Sequence, residues 1–213
     1  RLNPSDVDGK LHKGCQEKLI TVTNLLYANC ARVRAAIVLL QRVNSLLPPI
    51  DLAAKDDLAY ADQLRDSLAL EQPWRRMAAR EAAFGADNFR FLLQLLAERP
   101  AEFGFDARGH TAVEIARSRD AFGKDFPEIK EIRDAVAHVD QIFRQKSRNA
   151  IDSSIVELNA KARKQGEILI SDSMIDDNYI VTKEGRSLEL SATPRTYEKL
   201  YSTYCSVSLQ LDR

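Results

Sequence analysis

From Cys15 to Leu47 neither Pro nor Gly interrupts the chain, and apolar residues return at helical intervals. Leu19, Val22, Leu26, Val33, Ile37 and Leu40 fall along one side of a 3.6-residue repeat. A stretch so patterned, with no breaker, is stable as a helix only with that side buried, because helical stability in proteins comes mostly from packing an amphipathic face. Pro48-Pro49 ends the pattern, since proline lacks the N–H and clashes with the preceding turn. The spacing predicts one long helix from about Leu11 to Leu47, which either kinks or packs on another long helix or a second subunit. Residues 1–10, with Asn3-Pro4-Ser5-Asp6 and Asp8-Gly9, read as a tail or turn.

The rest of the chain is mostly helical in pattern. A charged, weaker stretch from Asp51 to about Leu70 predicts a short helix starting at Ala53. Pro73 is read as the first turn of the next helix, where its missing N–H costs nothing. That helix runs to about Glu98 with Met77, Phe84, Phe91 and Leu95 as its stripe. Asn88 falls on the same stripe, as a core amide with its hydrogen bonds satisfied or, alternatively, as a site residue. Pro100 to Gly109 reads as a loop. Thr111-Ala112-Val113-Glu114 has the form of a capping box and starts a helix to about Ala121, with His110 in the loop before it. Gly123 and Pro127 break the chain, and a further helix runs from Pro127 to about Gln145. Another helical stretch covers 153–164.

After Gly166 the character changes. Glu167–Ser171 is short and apolar-rich. Asn178–Lys183 and Arg186–Ser191, rich in Tyr, Ile, Val and Leu, flank Glu184-Gly185 and predict a β-hairpin. Thr193-Pro194 caps a last helix, to about Val207. Its Tyr197, Tyr201 and Tyr204 share a face, expected to pack on the hairpin, with base stacking as the alternative use. The expected fold is mainly α: a helical bundle over residues 1–165, then a small C-terminal ββα appendage over residues 166–213.

Composition narrows function. Thirty-one basic and 31 acidic residues cancel to zero formal charge, which argues against coating nucleic acid by bulk electrostatics but leaves room for a site that handles one phosphate. Cys15, Cys30 and Cys205 are odd in number and widely spaced, which predicts buried free thiols in a reducing cytoplasm rather than zinc or a disulfide framework. No apolar run nears the roughly 18 residues of a membrane span, so no membrane partner is expected. No secretory signal is visible, and the sequence opens at Arg1 rather than Met, as a chain with a start further upstream would. Phosphate-binding glycine loops, the H-E-x-x-H zinc motif and the G-x-S-x-G elbow are all absent, and His12, His110 and His138 have no metal spacing among them. No cofactor and no metal is expected.

What remains is the helix carrying Glu128–Asp140. Ile129, Ile132, Val136, Val139 and Phe143 account for its buried face. Arg133 lies at the edge of that stripe, and Asp134 and His138, one turn apart, point away from it and can touch. A helix with charges on its outer face is the ordinary structural reading of such a segment. The chemical reading is that His138 exchanges a proton, Asp134 holds the imidazole, and Arg133 forks to a phosphate and stabilises charge building there. Residues five apart lie about 140° apart around a helix, so Arg133 and His138 converge more easily when the helix meets its own copy across a two-fold axis. Ala137, between their directions, is small enough to permit that approach.

The stretch Ile132-Arg133-Asp134-Ala135-Val136-Ala137-His138 resembles the signature of the HEPN superfamily: an Arg, a polar residue, a short spacer and a His, late in a helical bundle. Met77-Ala78-Ala79-Arg80-Glu81-Ala82-Ala83-Phe84 and the ββα tail look similar to its abortive-infection branch. The resemblance implies a HEPN-like bundle and a metal-independent endoribonuclease of toxin or antiviral-defence type, with RNA as substrate and its cleft at a homodimer interface. Arg133 would hold the scissile phosphate, His138 would transfer the proton, and Asp134 would orient the pair. It equally accommodates a non-catalytic module that binds a nucleotide or a protein partner such as an antitoxin.

Overall fold

A computed structural model describes the backbone of residues 4–46, 58–145, 172–175, 177–183 and 186–211. The protein is mainly α-helical, with a small antiparallel sheet near the C-terminus followed by a helix. The elements are α1 (Pro4–Leu46), α2 (Leu58–Glu98), a 3-10 turn (Pro100–Phe103), α3 (His110–Asp125), α4 (Ile129–Gln145), β1 (Asp172–Ile175), β2 (Asn178–Lys183), β3 (Arg186–Ser191) and α5 (Pro194–Leu211). No helix among the described residues is long and apolar enough to cross a membrane. The helical stretch expected over 153–164 and the segment Glu167–Ser171 lie outside the described residues.

Several boundaries differ from the sequence reading. α1 begins at Pro4 rather than Leu11, so residues 4–10 of the expected tail are helical and Gly9 and Gly14 are helix-interior. Glycine weakens a helix by only about 1 kcal/mol, too little to stop one this long. α2 starts at Leu58 and passes through Pro73, which therefore lies inside a helix instead of opening one. That position loses one backbone hydrogen bond, at a cost of about 3 kcal/mol or more. The capping box does not form: Gly109, in extended conformation, is the N-cap of α3, and no side chain caps it. Glu114 pairs with Arg117 one turn on instead of reaching back. α3 also continues past Gly123 to Asp125.

Contacts divide the chain into two compact units. The first takes Arg1–Ala35, Phe84–Pro127 and Pro194–Arg213. Its core holds Leu26 and Val33 of α1, Phe89 and Leu93 of α2, Ile115 and Phe122 of α3, and Leu200 and Val207 of α5, all nearly inaccessible. Phe122 stands at its centre, 5.4 Å from the Phe89 ring and 4.7 Å from that of Phe126. α3 packs along α5, and Lys199 Nζ reaches Asp125 Oδ1 at 2.6 Å across that seam.

The second unit takes Ala36–Ala83 and Glu128–Thr193. Here Ile37, Leu40 and Val43 of α1 are buried, as are Ala78, Ala79, Ala82 and Ala83 of α2. The sheet order is β1-β2-β3, all antiparallel. The sequence predicts two strands; the third, β1, carries too little β-branched or aromatic character to signal itself. In the hairpin Tyr179 faces Leu190 and Val181 faces Leu188. These four are buried while Glu189 between them is exposed, the alternation of a sheet with one covered face. α4 is the cover, packing on β2 and β3. The Asp177 carbonyl at the β2 edge accepts the Ala192 N–H at 2.8 Å, and Asn44 donates to Asp177 Oδ1 at 3.2 Å.

The stripe expected on α2 is displaced. Met77 and Phe91 are exposed and Phe84 and Leu95 are half-buried; the buried line is Ala78, Ala82, Ala86, Phe89, Leu93 and Leu96. Within the first unit Gly85 marks a close approach to α1: a Cβ there would stand 2.8 Å from Val33 Cγ2. Gly123 has open space at the same position. We therefore expect Gly85→Val to lose about 2 kcal/mol of unfolding free energy through overpacking. Gly123→Ala should gain up to about 1 kcal/mol from helix propensity alone. Urea denaturation of the two variants checks both signs.

Candidate functional site

The face of α4 that carries the predicted site residues is set by what the other face buries. Ile129, Ile132, Ala135 and Val136 are 5% exposed or less, which fixes the rotation of the helix against β2 and β3. Arg133 and Asp134 then fall at the margin, with side chains 40% and 26% exposed. Arg133 Nη1 lies 2.9 Å from Asp134 Oδ1. The guanidinium and carboxylate are thus brought together, in a pair worth about 1 kcal/mol or less at that exposure. Such a pair separates readily when a phosphate competes for the guanidinium. His138 belongs to the same uninterrupted helix, one turn beyond Asp134. Its side chain lies outside the described residues, as do those of Val139 and Phe143. Ala137, between the Arg133 and His138 directions, is half-buried.

Other predicted positions fall elsewhere. His110 is the first residue of α3 and is exposed. Asn88 is exposed, so it is not a core amide. Its neighbour Asp87 is the buried polar residue, only 1% exposed. Arg90 Nε donates to Asp87 Oδ1 at 2.8 Å, Arg90 Nη1 to Gln94 Oε1 at 3.0 Å, and Gln94 Nε2 to Glu98 Oε1 at 2.8 Å. Three- and four-residue steps from Asp87 through Arg90 and Gln94 to Glu98 carry this ladder along α2. That spacing was the available signal; the apolar stripe drew attention to the wrong line of the helix.

A groove of about 530 Å³ runs between α3 and α5, lined by Ser118, Ala121, Ser202, Thr203 and Ser206 among others. Its charges are already partly matched by the Lys199–Asp125 pair, and neither Arg133 nor Asp134 lines it. Among the described residues no three His, Cys, Asp or Glu are grouped to hold a metal ion. The comparisons with family models, curated proteins and solved structures find no match for this chain.

All three cysteines are free, and Cys30 is buried. Burial pushes its thiol up from 9.0 to about 12, with Cys205 nearby adding to the shift. A thiol held protonated near neutral pH is a poor nucleophile, so Cys30 is a packing residue. The shift has a consequence for stability. Above 9.0 the unfolded chain releases this proton while the native chain keeps it, until about 12. The contribution is complete below that window and is lost as pH rises through it. Cys30→Ala should therefore show a shallower fall in unfolding free energy between pH 9.0 and 12 than the unsubstituted protein. Equal slopes in parallel urea titrations would contradict this assignment.

Proposed function

We propose that this protein is a metal-independent endoribonuclease of HEPN type, acting in the manner of toxin and antiviral-defence ribonucleases. The observation that carries the reading is the half-exposed Arg133–Asp134 pair on α4, one turn before His138, on a helix whose apolar stripe is already occupied by the hairpin. The stripe accounts for the burial of α4 without these three residues.

The reaction these groups support is transesterification by the RNA itself. A base removes the proton of the 2′-hydroxyl, the freed oxygen attacks phosphorus, and the bond from phosphorus to the 5′-oxygen breaks. The departing 5′-oxygen takes up a proton, leaving a 2′,3′-cyclic phosphate and a 5′-hydroxyl. His138 serves the proton transfers, Arg133 holds the phosphate and offsets charge developing on its oxygens, and Asp134 orients both. With Arg133 and His138 about 140° apart around one helix, the cleft is completed by a second copy of the chain. A second reading, a non-catalytic module that binds a nucleotide or an antitoxin-like protein, draws support from the zero net charge.

Cleavage of single-stranded RNA in EDTA is the test. His138→Ala and Arg133→Ala should each lower the rate by about 100-fold or more. Mixing the two variants should restore part of it, because one copy then supplies Arg and the other His. Equal cleavage by His138→Ala and the unsubstituted protein would sink the catalytic reading.

A further inference from the structure

Tyr197, Tyr201 and Tyr204 of α5 lie in a row, ring centroids 5.5 and 5.9 Å apart and planes 24° and 29° from parallel. Tyr27 of α1 extends the row, 5.7 Å from Tyr204. At the other end the Arg34 guanidinium sits 5.8 Å over the Tyr197 ring. All five residues belong to the first unit. The face expected to pack on the hairpin thus carries these contacts to α1. Tyr27 is 55% exposed and Tyr201 39%, which leaves ring surface open to solvent.

The charge around the row is one-sided although the chain as a whole is neutral. No Asp or Glu occurs between Lys18 and Ala35 of α1, where Arg32 and Arg34 lie. On α5 Glu198 is the sole acid, against Arg195 and Lys199. Lys18 faces Glu102 at 3.9 Å, and Lys199 is joined to Asp125. Beyond Tyr27, one to two turns back along α1, a recess of about 230 Å³ opens, lined by Leu19, Ile20, Thr23, Asn24 and Leu211. Rings with solvent-exposed surface in a row, beside Arg34 and with few acids on the two helices, suit single-stranded nucleic acid: bases pack on the rings and phosphates follow the positive charge.

We propose that the α1–α5 face of the first unit is a stacking platform for single-stranded RNA. Bases lie on Tyr27 and Tyr201 and the backbone passes Arg34. The platform uses none of the α4 residues, and only the choice of RNA over DNA rests on the ribonuclease reading.

Fluorescence anisotropy with a labelled ten-nucleotide uridine oligomer tests it, using the whole chain carrying His138→Ala so that no cleavage intervenes. Tyr27→Leu and Tyr201→Leu keep apolar bulk but lose the ring, and each should weaken binding by about fivefold or more. Tyr27→Phe and Tyr201→Phe should restore it, which separates loss of stacking from loss of folding. Arg34→Gln should flatten the dependence of log affinity on log salt by about 0.7. Leucine variants that bind as well as the tyrosines would overturn the platform, as would phenylalanine variants no better than leucine. Tighter binding of a ten-nucleotide thymidine DNA would overturn the assignment to RNA. Loss of cleavage in His138→Ala is read separately, so either proposal can fail alone.

Discussion

One line of apolar side chains on α1 is the constraint around which the other elements arrange themselves. Val22, Leu26, Cys30, Val33, Ile37, Leu40 and Val43 are all buried, at steps of three and four. The line runs through both compact units, so each unit receives a share of one helix. Burying a single Leu or Val in such a line contributes about 1.5–3 kcal/mol. The alanines of α2 answer this constraint in a different currency. Ala78, Ala82 and Ala86 are buried but bring little area of their own, and at Gly85 α2 comes so close to α1 that a Cβ would stand 2.8 Å from Val33 Cγ2.

This explains which parts of the fold were legible beforehand. α4 and the β2–β3 hairpin follow directly from residue pattern, because their large apolar residues are the ones buried: Ile129, Ile132 and Val136 on the helix, Tyr179, Val181, Leu188 and Leu190 on the strands. α2 misleads for the opposite reason. Three of its large apolar side chains, Trp74, Met77 and Phe91, are 45–57% exposed, while the small Ala78, Ala82 and Ala86 are buried in line with Phe89, Leu93 and Leu96. Ranking by hydrophobicity selects the wrong face wherever close approach matters more than area. Pro73 and Thr111 mislead through local signals that context overrides: a proline tolerated within a continuous helix, and a cap whose Glu114 is engaged by Arg117.

The site residues were legible only as candidates. Periodicity separates Arg133 and Asp134 from the stripe, and their half-exposure follows from it. That they join one another is a contact between sequence neighbours, which periodic reasoning overlooks because adjacent helical residues diverge by about 100°. Long, flexible arginine reaches around that angle. The burial of Asp87 and the completion of the tyrosine row depend on tertiary surroundings: the step from Asp87 to Arg90 is local, but the acid's 1% exposure is not, and three tyrosines on one helix meet a fourth from a helix distant in sequence.

The Arg133–Asp134 pair bears on how a neutral chain handles a polyanion. A free arginine at a cleft would attract any phosphate; one joined to a neighbouring carboxylate presents a nearly neutral surface until a ligand displaces the carboxylate. That exchange costs about 1 kcal/mol or less at this exposure, and a bidentate phosphate returns more than it costs. Asp134 stays one helical turn from the position of His138. On the proposed ribonuclease reading, Asp134 serves two partners in succession, Arg133 at rest and His138 when phosphate is bound. On that proposed reading, engagement depends on the geometry of the phosphate at α4 rather than on net attraction, in keeping with a chain that has equal numbers of acidic and basic residues.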